Sequence, residues 1–71
     1  MESPSLIDMR LECEDDEQVL QAMNILIGYK KSFYYLPLKK ALRVLIRNRA
    51  RLNSIHREAK ELGIKVKRYY S

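Results

Sequence analysis

The sequence predicts a small α+β domain, mainly helical: a two-helix hairpin with a short first helix, a long second helix and a short β-strand at each end of the chain. Three observations lead there. Residues 6–12, "LIDMRLE", alternate Ile7, Met9 and Leu11 with Asp8, Arg10 and Glu12, the period of a half-buried strand. Apolar residues then recur at helical spacing on both sides of a connection at 29–36. Residues 64–70, "IKVKRYY", alternate again. If the two end segments stay disordered, the alternative is an all-α helical hairpin, because one short strand cannot stand alone.

The chain of 71 residues is read as one domain, 1–71, with residues 1–5, which contain Pro4 and two serines, flexible. A core this small is marginal, and such chains draw on a disulfide, a metal or a second subunit. Cys13 is the only cysteine and His56 the only histidine, so neither an internal disulfide nor a structural zinc site is expected. That leaves association, and a homodimer is the expectation. The N-terminus lacks a secretory pattern, and the densest apolar run, "NILIG", is too short to span a bilayer. With a lone cysteine, the chain reads as cytoplasmic, in a reducing compartment, with no membrane partner.

The first helix is read from "CEDDEQVLQAMNILIGYKK". Asp15 is its N-cap and Gln18 stands at capping-box spacing. The acids at 14–17 suit the positive end of the helix dipole. Val19, Met23 and Leu26 form one face, widened by Leu20 and Ile27, with Ala22 and Ile25 on the other flank. Gly28 either ends this helix or is carried through it.

"YKKSFYYL" is the connection, and Pro37 suits the first turn of the second helix. That helix is read as "PLKKALRVLIRNRARLNSIHREAKEL", with Gly63 as its C′ residue. On a helical wheel, Leu38, Ala41, Leu42, Leu45, Leu52, Ile55, Ala59 and Leu62 share a sector, with Arg49 and His56 inside it. Opposite lie Lys39, Lys40, Arg43, Arg47 and Arg51, the arginines spaced i, i+4, i+8. Like charges at that spacing weaken a helix, and no acid interrupts them.

Charge sets the expected partner. Residues 1–17 hold seven acids and one base, a net of −6. Residues 18–71 hold thirteen bases and two acids, a net of +11. The arginine row resembles a footprint for phosphates, though the chain's own acidic start could also dock on it. Aromatic residues among bases add stacking surfaces: Phe33, Tyr34 and Tyr35 follow Lys30 and Lys31, and Tyr69 and Tyr70 follow Lys65, Lys67 and Arg68. Phe33 is read as core. Tyr35 and Tyr70 are the candidates for stacking on bases.

The expected function is therefore non-catalytic nucleic-acid binding of low sequence specificity, to single or double strands. Lys39, Lys40, Arg43, Arg47, Arg51, Lys65, Lys67 and Arg68 would contact phosphates. The alternative is a protein-interaction module, an accessory subunit or inhibitor docking on an acidic partner. No cofactor or metal is expected. Catalysis is not expected either, since Ser54 and His56 fall on different faces of a helix and no phosphate-cradling glycine loop exists.

The order strand, helix, turn, helix resembles that of ribbon-helix-helix repressors, which dimerise through the strand. Asp8, Arg10 and Glu12 are a poor outward set for reading a DNA groove, and the connection between the helices is longer than that motif's turn. The arrangement stands only as a dimer alternative.

Overall fold

A computed structural model describes residues 6–70. Residues 1–5, expected to be flexible, lie outside the described residues. The elements are β1 (Ile7–Glu12), α1 (Asp16–Gly28), β2 (Tyr34–Leu36), β3 (Ala41–Ile46), α2 (Arg49–Glu61) and β4 (Lys65–Tyr70). The strands form one antiparallel sheet in the order β2-β3-β1-β4. Two split βαβ units interleave, the arrangement called ferredoxin-like.

The class α+β holds, but the mainly helical hairpin with a strand at each end does not: among the described residues four strands form one antiparallel sheet beside two helices. The long second helix is replaced by a β2–β3 hairpin followed by a helix of 13 residues. Nor is the all-α alternative this fold.

Three local features explain the difference. In "ALRVLI", Leu42, Val44 and Ile46 point into the core and alternate with Ala41, Arg43 and Leu45. A nearly continuous apolar run satisfies both helical and strand periods, so burial on the sheet decides it. Pro37 starts a turn instead of a helix. The Lys39 amide donates to the Leu36 carbonyl at 3.2 Å, the Lys40 amide donates to that of Pro37 at 3.3 Å, and Lys40 takes a left-handed φ of 48°. Proline presets the φ that such turns need at their second position. Finally, Asn48 caps α2, its side chain accepting from the Arg51 amide at 3.2 Å.

The first helix starts as its sequence indicates. Asp15 Oδ1 accepts from the Gln18 amide at 2.8 Å, and the Gln18 side chain accepts from the Glu14 amide at 2.8 Å. Val19, Ala22 and Leu26 are buried, while Leu20 and Ile27 face outward. The core side of α1 is thus turned toward Ala22 relative to the expected face.

Both helices end in the same way. Lys31 N–H reaches Leu26 C=O and Lys30 N–H reaches Ile27 C=O; Ile64 N–H reaches Ala59 C=O and Gly63 N–H reaches Lys60 C=O. Each is a Schellman closure, which needs a left-handed residue at C′. Gly63 supplies it at φ 78°, as expected, and Lys30 supplies it at φ 57°.

The core lies between the helices and one face of the sheet. Ile7, Met9, Leu11, Leu42, Val44 and Ile46 meet Val19, Ala22, Leu26, Leu52, Ile55 and Ala59. Phe33 packs half-buried against this cluster. The strand β1 sits inside the sheet, paired with β3 and β4 of its own chain, so the ribbon-helix-helix arrangement is also set aside. Among the described residues, no helix is long and apolar enough to cross a membrane.

Candidate functional site

Strand side chains alternate between faces, so a core on one side leaves a second side uncovered. The cross-strand register builds that open face in three rows. The first carries Tyr34, Arg43, Arg10 and Lys67, in spatial order from β2 to β4. Beside it run Leu36, Ala41, Glu12 and Lys65, and on the other side Leu45, Asp8 and Tyr69.

Three cations thus stand next to one another across adjacent strands. Like charges directly opposite each other destabilise a sheet. Two acids of β1 offset this in part. Arg43 Nε donates to Asp8 Oδ2 at 2.9 Å, and an Arg10 terminal nitrogen lies 3.7 Å from the same oxygen. Lys67 Nζ stands 3.4 Å from Glu12. The Arg10 guanidinium also lies over the Tyr69 ring, 4.8 Å from its centroid, a cation–π contact. Four bases against two acids leave the face cationic.

Satisfaction is incomplete. Asp8 Oδ1 and Arg10 Nε are both shielded from solvent without a hydrogen-bond partner. Such groups are costly to leave unmade. The middle of this face therefore holds one acceptor and one donor beyond what the protein itself uses.

The expected site residues are spread over several surfaces. Arg43, Lys65 and Lys67 lie together on the open face. Lys39 and Lys40 occupy the β2–β3 turn, with Lys40 Nζ 3.7 Å from Asp16. Arg47 is exposed in the β3–α2 connection, and Arg51 is exposed in the first turn of α2. The continuous helical row of Arg43, Arg47 and Arg51 does not exist, because a strand, a connection and a helix carry one arginine each. The acidic start of the chain does reach basic residues, through Asp8, Glu12 and Asp16.

Arg68 turns to the helix side. Its Nε donates to His56 Nδ1 at 2.9 Å and a terminal nitrogen donates to Asn53 Oδ1 at 2.8 Å. Burial lowers the His56 pKa, and the nearby charges of Arg68 and Lys60 lower it further, so the ring is a neutral acceptor. Tyr35 is opposite Leu42, away from the open face, and half-exposed at the sheet edge. Tyr70 pairs with Ile7 through the backbone, and its side chain lies outside the described residues.

Arg10, Tyr34, Tyr69 and Leu45 belong to the open face and were not among the expected site residues. One signal would have found them. Once 41–46 is taken as a strand, its parity places Arg43 and Leu45 opposite to the core, and pairing brings Arg10 and Tyr34 beside Arg43.

The other reactive groups are occupied with structure. Cys13 is a buried free thiol whose pKa is raised by burial and then by Asp15, which suppresses the thiolate. The Tyr29 hydroxyl donates to Glu58, which raises its pKa and ties the end of α1 to α2. Among the described residues, no group of three His, Cys, Asp or Glu side chains could hold a metal ion. Compared with known proteins, the chain matches no family model, no curated protein and no solved structure.

Proposed function

We propose that this protein is a small non-catalytic binder of single-stranded nucleic acid, with the open sheet face as its platform. The observation that carries the reading is the row Tyr34, Arg43, Arg10 and Lys67, flanked by Tyr69 and Lys65. From β2 to β4 the platform spans about 14 Å at the usual strand spacing. Sheets of four strands with aromatic residues on a bare face stack two or three bases in RNA-binding modules. A shared architecture is no proof of shared function, so the weight rests on the side chains. Tyr34 and Tyr69 offer ring faces, and the cations between them suit the phosphates that link successive bases. Low sequence specificity follows, because phosphate contacts position a strand without reading it.

A protein-interaction module docking on an acidic partner is the second reading. Leu45, exposed beside Asp8 on the same face, favours it, since an apolar side chain suits a protein interface and adds nothing to phosphate binding. A reducing intracellular compartment suits both readings, given the free thiol of Cys13.

Fluorescence anisotropy with labelled decanucleotides of DNA and RNA, at 50 and 200 mM salt, tests the proposal. Three or four phosphate contacts on a single strand predict affinity falling about 20- to 50-fold over that range. No binding by any single strand at 50 mM salt would remove the nucleic-acid reading in favour of the interaction module.

A further inference from the structure

The β2–β3 turn exposes an apolar tip. Leu38 is fully exposed, at 101%. Turn centres ordinarily take glycine, asparagine, aspartate or serine, so a leucine there has no local conformational reason. Leu36, Pro37, Leu38 and Lys39 line an almost wholly apolar hollow of about 310 Å³. The turn is held by its two backbone hydrogen bonds and by the ion pair of Lys40 with Asp16.

Leu36 connects this hollow to the open face. It stands two residues beyond Tyr34 on the same side of β2 and next to Ala41. Lys39, at the rim, is exposed. A flat apolar ring carrying an anionic group satisfies both features. The volume is at the small end of ligand sites, which suits a single ring system better than a folded peptide segment.

We propose that this hollow seats one nucleobase of the bound strand, packed against Leu36, Pro37 and Leu38, with Lys39 holding that nucleotide's phosphate. The proposal rests on the open-face reading and extends the track beyond Tyr34. It makes the strand run off the sheet along β2 toward the turn. The base is held by packing alone, so purines bind more tightly than pyrimidines without further discrimination.

An abasic scan tests this. A labelled decanucleotide is prepared with an abasic site at each position in turn and titrated against the wild-type chain, Leu38→Ala and Lys39→Ala. Leu38→Ala should weaken binding of the intact strand about 5- to 10-fold, in line with the loss of one stacked base. It should also reduce the penalty of the abasic site at one position near an end of the strand while leaving the other penalties unchanged. Lys39→Ala should lower the salt dependence by about one phosphate.

If wild-type binds and Arg10→Ala weakens it, while Leu38→Ala has no effect at any position, the hollow is overturned and the open-face reading survives. If wild-type binds no strand, both fall. A second copy in the hollow would appear as self-association lost in Leu38→Ala by sedimentation, and a lipid as binding to phosphatidylglycerol vesicles lost in the same variant; either result, with strand affinity unchanged, also overturns the proposal. Leu38 touches solvent only, and circular dichroism of the variant should match wild-type.

Discussion

Asp8 on β1 and Arg43 on β3 meet on the open face, with Arg43 Nε 2.9 Å from Asp8 Oδ2. The pair does two opposed things. It lowers repulsion between Arg43 and Arg10, which stand side by side. It also places a negative charge where a phosphate would bind.

Replacing Asp8 with Asn should therefore separate folding from binding. The variant should lose about 1 kcal/mol of stability, as a half-exposed charge-assisted hydrogen bond becomes a neutral one. Its affinity for a single strand should rise about threefold, with a steeper salt dependence. Urea unfolding and anisotropy read the two effects. Equal losses in both would mean that Asp8 orients the arginines for the ligand.

The two Schellman closures give a second prediction. Lys30 and Gly63 occupy equivalent C′ positions, at φ 57° and 78°. A side chain in that region costs about 1–2 kcal/mol relative to glycine. Lys30→Gly should stabilise the fold by about 1 kcal/mol and Gly63→Ala should destabilise it by a similar amount. A Cβ at Gly63 would meet only Gln18 Nε2 at 3.7 Å, an ordinary contact, so the backbone conformation dominates there. Thermal unfolding of the two variants checks the signs.

His56 gives the pH dependence. Its neutral ring accepts from Arg68, and protonation would set two cations against each other. The folded pKa lies below the ordinary value of 6.5. Stability from this group is therefore present above pH 6.5 and is lost as pH falls through the folded pKa, because only the unfolded chain takes up the proton in that window. His56→Gln keeps an acceptor and removes the titration. The difference in Tm between wild-type and His56→Gln should widen against wild-type from pH 7.5 to pH 5, and a constant difference would contradict the assignment.

Leu38 and Leu42 distinguish the sheet from a long helix. Four residues apart, they would share one face of a helix and cost alike when truncated. In the sheet, Leu42 is fully buried and Leu38 fully exposed. Leu42→Ala should cost about 2–5 kcal/mol and Leu38→Ala within about 0.5 kcal/mol of nothing. Chemical denaturation measures both.

These positions also show how much was legible beforehand. Both end strands, the Asp15 cap, the first helix and the Gly63 closure were readable, because local chemistry determines each of them. Phe33 was readable as a packed residue. The β2–β3 hairpin was not. Its three-residue first strand is too short to show a period, and "ALRVLI" fits a buried strand and a helix equally well. Burial against the sheet decides it: β1, paired with β4 on one side, takes β3 on the other, and the Pro37 turn and the Asn48 cap set the ends of β3. The hairpin breaks up the arginine row of the expected helix and creates the open face. Arg43 was named for a helical row that the fold breaks up, and Lys65 and Lys67 for the last strand, where they lie; Arg10, Tyr34 and Tyr69 needed the pairing to be seen.

The central claim is that the open side of the sheet holds the ligand, and not the start of α2. Anisotropy titrations of a single-stranded decanucleotide with two paired variants, Arg10→Ala/Arg43→Ala and Arg47→Ala/Arg51→Ala, test it at equal change of net charge. The account predicts a loss of at least about 10-fold for the first pair and less than about threefold for the second. Equal losses, or the larger loss in the second pair, would contradict it.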